Sequence, residues 1–214
     1  MAMEWRGWTQ YAAQLDSEGW EYLQRIKTFA TRFSDLIQSI LDYSRVSRAH
    51  LDLGWVELET LVLQVIDEYL NVDRSKSDIQ VQRLLESVMA NEPMLTQCVA
   101  NLVSNALKFV CRDQRPVVRI WTEPNGALVK LFVQDNGVGV APENRRRIFD
   151  LFTHTHLDKD YVGTGIGLAI VQRAVTRMGG TVGVDSEPDK GSTFWIELPK
   201  AEPSALARAS NGGR

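Results

Sequence analysis

The chain has 214 residues, a length that fits one ordinary domain with a smaller appendage or two small domains. Hydrophobic residues make up 44% of it and charged residues 24%, as in globular proteins with a packed core, and a formal net charge of -3 gives no indication of a nucleic-acid-binding surface. No stretch approaches the roughly 20 apolar residues of a membrane span, and the N-terminus has no signal-peptide pattern, so we expect a cytoplasmic protein without a membrane segment.

The first predicted element is a long helix from about Glu18 to Arg48. Its apolar residues recur at steps that alternate between three and four, which is the heptad seam of helices in coiled coils and four-helix bundles. The seam consists of Leu23, Ile26, Ala30, Phe33, Ile37, Ile40 and Ser44. An ordinary amphipathic helix that lies on its own domain is the alternative interpretation. The length and strict spacing favour a bundle, most simply a homodimer formed through this helix.

Shorter helices and strands follow without a regular strand–helix–strand rhythm. In chain order they are predicted as a helix over Leu58–Leu70, strands over Ile79–Leu85 and Ser87–Ala90, a helix from Glu92 to Phe109, strands over Val117–Trp121 and Ala127–Gln134, a short helix over Pro142–Phe149, a helix over Gly165–Met178, and a hairpin of Thr181–Ser186 and Ser192–Leu198. This order predicts an α/β fold, a two-layer sandwich with helices on one face of a mixed sheet, preceded by the long helix.

Three polar residues share one face of the predicted helix at 92–109. Asn101, Asn105 and Lys108 are spaced i, i+4 and i+7 on a helix that is otherwise apolar. Two amides and an ammonium on the edge of a buried helix are unfavourable unless a polar partner meets them. Magnesium and a triphosphate are such partners, because an amide oxygen can bind the metal and the ammonium a phosphate. The alternative for this cluster is a solvated helix face.

A carboxylate and two glycines follow a predicted strand, in the sequence Asp135-Asn136-Gly137-Val138-Gly139. A carboxylate at a strand end can accept a hydrogen bond from an exocyclic amine such as that of adenine. The glycines allow a tight turn and let a flat ligand approach the backbone. A plain turn is the alternative, since Asp-x-Gly is a common turn sequence.

Two aromatic residues, Phe149 and Phe152, precede a polar segment that reaches Gly163. A pair of rings before a polar loop is typical of the anchor of a movable lid. The alternative is a helix end that its two phenylalanines pack into the core.

A glycine-rich run, Gly163-Thr164-Gly165-Ile166-Gly167-Leu168, lies at the start of a predicted helix. Free backbone N–H groups and the helix dipole at that position favour an anion. The run is not a dinucleotide fingerprint, because no βαβ unit surrounds it, and the lysine motif of P-loop proteins is absent from the sequence.

In this order and spacing, the four clusters resemble the N, G1, F and G2 boxes in the catalytic domain of sensor histidine kinases. The resemblance spans about Trp55 to Pro199, and the stretch Lys190-Gly191-Ser192-Thr193-Phe194 is similar to the family's final strand pair. The long helix is similar to the second helix of the family's dimerisation domain. Tyr161, just before Gly163, is typical of the phytochrome-like branch.

The resemblance implies the sandwich fold of histidine-kinase, gyrase and Hsp90 ATPases, with ATP and Mg²⁺ as cofactors. It implies that Asn105 binds magnesium, Asn101 lies near the phosphates, Lys108 contacts phosphate and Asp135 reads adenine; the first three form the implied catalytic set. The other nucleotide-binding residues that it implies are Gly137, Gly139, Phe149, Phe152, Tyr161, Gly163, Thr164, Gly165, Ile166, Gly167, Leu168 and Thr193. We expect residues 1–54 to be a partial dimerisation and phosphotransfer region, 55–199 the ATP-binding domain and 200–214 a disordered tail.

The family's phosphoacceptor is a histidine followed by an acidic residue, on the first helix of the dimerisation domain, and the sequence contains no such pair. His50 lies at the far end of the second helix, so it is not assigned this role. The implied function is therefore transfer of the γ-phosphoryl of ATP to a histidine that this chain lacks, for relay to an aspartate on a response regulator receiver domain. Self-phosphorylation of the chain as given is not expected.

Two other functions stay open from the sequence. The missing acceptor suggests a non-catalytic nucleotide-binding or scaffold module of a two-component pathway. Another ATPase of the same fold, such as a gyrase-, chaperone- or mismatch-repair-like enzyme or an anti-sigma-type serine kinase, is a third possibility. The paired phenylalanines and the heptad helix argue against the third, because both belong to the histidine-kinase version.

Overall fold

The structure, a computed structural model, describes residues 16–48, 50–69, 75–111, 113–153 and 163–201. Tyr161 and the predicted tail after residue 201 lie outside the described residues. The chain divides into two compact units between Leu41 and Asp42. Within the described ranges, no helix is both long enough and apolar enough to cross a membrane.

Helix α1 spans Ser17–Arg48, which confirms the predicted long helix. Up to Leu41 it belongs to the first unit, where large apolar side chains are exposed. Ile26, Phe29 and Phe33 are 64%, 65% and 63% exposed. Burying such side chains would contribute roughly 1.5–3 kcal/mol each, so this surface fits the predicted bundle. Dimerisation itself stays a prediction.

The last turns of α1, from Asp42 onwards, belong to the second unit. Val46 is buried there, and its carbonyl accepts a hydrogen bond from the guanidinium of Arg177. The side-chain amide of Gln97 reaches the carboxylate of Asp42 at 3.5 Å. A cation near the C-terminus of a helix is favourable because it complements the helix dipole.

A small two-stranded sheet follows α1. Strand β1, Gly54–Glu57, pairs antiparallel with β3, Ser87–Ala90. Between them lie helix α2, Leu58–Gln64, and one π-helical turn, Val65–Tyr69. The sequence pattern predicted β3 and the start of α2 but not β1. Only Val56 of the four β1 residues is buried, so the strand shows no alternation of apolar residues.

The main sheet has five strands in the order β2-β4-β5-β7-β6. They are β2 (Asp78–Val81), β4 (Val117–Asn125), β5 (Leu128–Asp135), β6 (Thr181–Ser186) and β7 (Ser192–Pro199). Strand β2 runs parallel to β4, and the other neighbouring strands are antiparallel. The predicted mixed sheet is therefore present.

Helices α3 (Glu92–Lys108) and α4 (Gly167–Arg177) pack on one face of this sheet. Helix α3 starts after Asn91, whose side chain accepts the backbone N–H of Met94 at 3.2 Å, as an N-cap does. Alternate strand residues are buried on the helix side: Val129, Leu131, Val133, Phe194, Ile196 and Leu198. The predicted two-layer α/β sandwich is confirmed.

The other face of the sheet carries an aromatic ladder, formed by Trp121, Phe132 and Trp195 on neighbouring strands. The ring centroids of Trp121 and Phe132 lie 4.9 Å apart with planes at 10°. Trp195 covers Gly183, where a Cβ would come within 2.2 Å of the indole. The Nζ of Lys130 lies 4.4 Å from the Trp195 ring centroid. The stacked rings of Trp121 and Phe132 and the contact of Lys130 with the Trp195 ring each stabilise the open face by roughly 0.5–1.5 kcal/mol.

Three further predicted elements differ in the structure. The strand predicted over 117–121 continues to Asn125. The helix predicted over 142–149 is a pair of 3₁₀ turns, Pro142–Asn144 and Arg147–Phe149, which are common as short connectors. The strand predicted over 79–85 ends at Val81. Leu84 has a left-handed φ of 68°, a conformation that an extended strand does not contain.

Candidate functional site

Asp135 ends strand β5 and is only 8% exposed. Its Oδ1 accepts the backbone N–H of Gly137 at 2.8 Å and that of Ser192 at 3.0 Å. Among the described residues, no group donates a hydrogen bond to its Oδ2. The carboxylate is therefore fixed from two strands through one oxygen, and the other oxygen is available to a ligand.

Burial raises the pKa of Asp135 to about 6, and the two backbone N–H groups that it accepts oppose this shift. A buried carboxylate without a counter-charge gains most from a further hydrogen-bond donor. An exocyclic amine of a nucleobase is a donor of this kind. The adenine-binding role of Asp135 stays a prediction.

The glycines after Asp135 sit where no side chain fits. A Cβ on Gly137 would come within 2.2 Å of the carbonyl oxygen of Phe109, and the same oxygen accepts the backbone N–H of Val138 at 2.9 Å. Gly139 has a φ of +70°, and a Cβ there would lie 1.9 Å from the carbonyl oxygen of Glu187. The loop is thus held between the end of α3 and the turn that joins β6 to β7.

Two buried serines, Ser186 and Ser192, stabilise the turn between β6 and β7 by hydrogen bonds. The Oγ of Ser186 accepts the backbone N–H of Val140 at 2.8 Å and lies 2.9 Å from both the carbonyl oxygen of Gly191 and the Oγ of Ser192. The guanidinium of Arg145 donates to the carbonyl of Ser186. None of these side chains was among the residues predicted from the sequence.

Asn101 faces the start of helix α4. Its side-chain Nδ2 is buried and has no hydrogen-bond partner among the described residues. Its Oδ1 lies 3.1 Å from the position that a Cβ of Gly167 would occupy. Helix α4 begins at Gly167 after Ile166, which provides no side-chain cap. Uncapped N–H groups at a helix N-terminus attract anions, and phosphate is a common one.

Asn105 and Lys108 lie one and two turns beyond Asn101 on α3. Asn105 is half-buried and Lys108 is exposed. The Nζ of Lys108 lies 3.2 Å from the position that a Cβ of Gly163 would occupy and 5.4 Å from the ring centroid of Phe109. The structure therefore brings the polar face of α3 next to both ends of the glycine-rich run.

The two predicted phenylalanines occupy different environments. Phe149 is buried, whereas Phe152 is 56% exposed and has a left-handed φ of 61°. The backbone N–H of Phe152 donates to the carbonyl of Gly165 at 2.9 Å, which joins the chain before the glycine-rich run to the run itself. In that run Ile166 is buried, while Thr164 and Leu168 are half-buried.

Thr193 stands apart from these residues. Its Oγ1 accepts from the side chain of Gln134 at 3.4 Å, on the open face of the sheet. Side chains alternate along a strand, so the hydroxyl on the face of Asp135 is that of Ser192. The alternation of Ser192 with the buried Phe194 in the sequence is the signal that could have identified it.

The site thus combines two chemistries at the edge of the helix layer. A buried carboxylate and two glycines at the end of β5 suit a flat heterocycle with an amine. An orphaned amide, a lysine and an uncapped helix N-terminus on α3 and α4 suit a chain of phosphates. A nucleotide has both parts.

Comparison with protein families gives one matching family model. It is described as "Histidine kinase-, DNA gyrase B-, and HSP90-like ATPase" and matches residues 90–202. The match contains every described residue of the candidate site.

Curated relatives match over most of the chain. The phytochrome-like protein Cph1 of Synechocystis sp. is 30% identical over 195 residues, which are 89% of this chain and 25% of the relative. The sensor-like histidine kinase SenX3 of Mycobacterium bovis is 31% identical over 185 residues, which are 83% of this chain and 44% of the relative. The chain therefore spans less than half the length of these relatives.

Solved structures match as well. A full-length ShkA in complex with AMPPNP is 33% identical, with a TM-score of 0.68 over 88% of this chain and 40% of that one. The histidine kinase ThkA in complex with the response regulator protein TrrA is 21% identical, with a TM-score of 0.68 over 90% of this chain and 55% of that one. At this identity the second match shows the fold alone.

Proposed function

Since the chain belongs to the family of histidine kinase-, DNA gyrase B- and HSP90-like ATPases, we propose that it acts as the ATP-binding catalytic core of a sensor histidine kinase. The relatives named above confirm the resemblance to sensor histidine kinases, and the match to Cph1 is consistent with the phytochrome-like branch. In this proposal the γ-phosphoryl of ATP passes to a histidine and then to an aspartate of a response regulator receiver domain.

The observation that carries the proposal is the side chain of Asn101. A buried amide nitrogen without a partner is unfavourable by about 1–3 kcal/mol, so natural proteins rarely keep one unless a ligand satisfies it. Its position beside the uncapped start of α4, at Gly167, is where a phosphate group would meet both the amide and the helix N–H groups.

The remaining side chains have distinct roles in the proposal. Asp135 accepts the adenine amine through Oδ2, and Gly137 and Gly139 let the base lie against the backbone. Lys108 binds phosphate oxygens, and the amide oxygen of Asn105 holds Mg²⁺. When bound, ATP would supply the transferable phosphoryl group and Mg²⁺ would offset part of its negative charge.

The acceptor histidine has to come from another segment or molecule. Three histidines occur in the sequence, at 50, 154 and 156, and none precedes an acidic residue. A response regulator is the proposed recipient of the phosphoryl group; ThkA, a protein of the same fold, is in a complex with one. A cytoplasmic location belongs to the same proposal, because ATP and receiver domains are found there.

We further propose that two copies associate through α1. The exposed side chains that would form the interface follow the heptad seam, and Phe33 and Ile37 lie on it. Such a dimer would bring two catalytic domains to one helical bundle.

The first experiment is a calorimetric titration of the chain with AMPPNP and Mg²⁺. We expect micromolar binding that weakens at least about tenfold in Asp135→Asn and in Asn105→Ala, because the first variant loses a hydrogen bond to the base and the second a metal ligand. Thr181→Ala, a substitution on β6 outside the site, is the matched control. Absence of binding by the unsubstituted chain would contradict the proposal.

The second experiment tests phosphoryl transfer. The chain is incubated with radiolabelled ATP and a separate helical hairpin that carries a histidine followed by an acidic residue. Label on the histidine supports the kinase function. Nucleotide binding without transfer to any such hairpin would contradict it, and the non-catalytic signalling module would then be the better description.

A further inference from the structure

Three of the four buried polar residues among those that the structure describes belong to one hydrogen-bonded cluster. They are Asp135, Ser186 and Ser192, linked by the Ser192 N–H to Asp135 and by the contact between the two hydroxyls. The proposed function gives a role to Asp135 alone. The direction of the hydrogen bonds between the hydroxyl groups of this cluster indicates the role of the two serines.

The hydroxyl of Ser186 is saturated by its three contacts. A serine hydroxyl has one proton to donate and two lone pairs that accept. Val140 donates its N–H to Ser186, and the Gly191 carbonyl, which can only accept, lies 2.9 Å from the hydroxyl and takes its proton. The bond between the two serine hydroxyls, at 2.9 Å, must therefore be donated by Ser192.

This arrangement determines whether Ser192 can donate or accept a hydrogen bond with a ligand. Its only proton points to Ser186, so toward any other group its Oγ can only accept. The pairing of Gln134 with Thr193 places Ser192 opposite Asp135, with both side chains on the helix face of the sheet. Opposite residues in an antiparallel pair have Cβ atoms about 4.5–5.5 Å apart. The base end of the site thus presents two neighbouring acceptors.

We propose that Ser186 is a positioning residue that sets the nucleobase selectivity of the site, by holding the hydroxyl of Ser192 as an acceptor beside Asp135. The inference rests on the proposed nucleotide-binding function and specifies the class of base. A 6-aminopurine brings an amine with two N–H donors. A 6-oxopurine brings an oxygen to the same place, where it would face two acceptors and no donor.

The test compares ADP with IDP, which carries an oxygen in place of the amine. Dissociation constants for both are measured by calorimetry with Mg²⁺ on the whole chain and on Ser186→Ala. In the variant the Ser192 proton is released and can turn toward the purine oxygen. We expect the ratio of the IDP to the ADP dissociation constant to fall at least about fivefold, the effect of roughly one hydrogen bond.

Three further variants separate selectivity from folding. Ser186→Thr keeps the hydroxyl, so its ratio of the IDP to the ADP dissociation constant should equal that of the unsubstituted chain. Ser192→Ala removes the acceptor while Ser186 keeps its bonds to Val140 and Gly191, so it should lower the ratio even if Ser186→Ala unfolds. Thr181→Ala, which removes an exposed hydroxyl bonded to Glu197 on the same strand as Ser186, should leave the ratio unchanged.

The outcomes distinguish this inference from the function on which it rests. Folded serine variants that bind ADP and keep the original ratio would overturn the selectivity role and leave nucleotide binding intact. Equal losses of affinity for ADP and for IDP would show that the serines have a purely structural role, and this result too would overturn the selectivity role. An unsubstituted chain that binds neither nucleotide would overturn the proposed function itself.

Discussion

The side-chain oxygen of Asn101 on α3 lies 3.1 Å from the position that a Cβ of Gly167 would occupy at the start of α4. The two helices can approach so closely because Gly167 has no side chain. The amide nitrogen of Asn101 is buried without a partner among the described residues, on a side chain that faces the uncapped start of α4, and an acceptor group of a ligand would satisfy it. An apolar substitution of Asn101 should therefore weaken nucleotide binding without lowering the stability of the nucleotide-free chain.

In Asn101→Leu, a side chain of similar size replaces the orphaned amide. We expect the free energy of unfolding of the nucleotide-free chain to stay the same or rise by about 1 kcal/mol, because a buried donor without a partner is removed. Affinity for AMPPNP with Mg²⁺ should fall at least about tenfold. Urea denaturation and calorimetry measure the two effects.

The control for this variant is Asn91→Ala on the same helix. Loss of that N-cap should lower the free energy of unfolding by about 1 kcal/mol and leave nucleotide affinity unchanged. Undiminished AMPPNP affinity in Asn101→Leu would show that the amide does not contact the phosphates.

Asp135→Asn should stabilise the nucleotide-free chain at neutral pH. Burial raises the pKa of Asp135 from 3.8 to about 6, so its contribution to stability is full below pH 4 and is lost as the pH rises through 6. Asparagine keeps an oxygen for the N–H groups of Gly137 and Ser192 and has no charge to bury.

We therefore expect the stability of the Asp135→Asn variant, relative to the unsubstituted chain, to increase by roughly 2 kcal/mol between pH 4 and pH 7.5. Urea denaturation at both pH values, without nucleotide, measures the difference. A relative stability that does not change with pH would contradict a raised pKa.

Gly137→Ala should abolish nucleotide binding and destabilise the domain by about 2–4 kcal/mol, because its Cβ would collide with the carbonyl oxygen of Phe109 at 2.2 Å. Gly54→Ala is the matched control, since no atom lies within 4 Å of its Cβ and its φ is not left-handed. Thermal unfolding and calorimetry on both variants test this. Equal melting temperatures would mean that the loop after Asp135 is free to move away.

Phe33→Glu should weaken the proposed dimer at least about tenfold, because Phe33 is 63% exposed in the single chain and lies on the heptad seam. Light scattering across a concentration series measures the association. Thr31→Glu, a charge added to the same helix outside the seam, should leave the dimer intact. A monomeric unsubstituted chain would contradict association through α1, and AMPPNP affinity should be the same in both variants.

The elements with long periodic patterns were predictable from the sequence; of the two short strands that pair with each other, β3 was predicted and β1 was not. Helix α3 repeats its apolar residues at steps of three and four, strands β5 and β7 bury every second residue over eight positions, and each element lies within about one residue of its predicted bounds. Strand β1 has four residues and exists because it pairs with β3, whose residues are at least thirty positions away from their partners. Local patterns do not contain such a long-range contact.

The residues of the candidate site likewise divide into those that the sequence indicated and those that only the fold brings together. Asp135, Asn101 and Gly167 stand in motifs with distinctive spacing, so the sequence alone indicated them. Ser186 stands in none of the motifs, and the only sequence signal for Ser192 is its place in the final strand pair, two residues before the buried Phe194. Their hydroxyls meet because β6 pairs with β7 in a particular register, Ser186 opposite Ser192, and only the folded sheet shows it.

Trp121 and Trp195 provide this chain with an optical reporter that is separate from the proposed nucleotide site. Both indoles are held rigidly on the open face of the sheet, one stacked on Phe132 and the other between Lys130 and Gly183. Fixed aromatic rings produce near-ultraviolet circular dichroism that disappears when tertiary packing is lost. That signal will follow the integrity of the sheet through a denaturation experiment and will stay constant while ligands enter and leave on the opposite face.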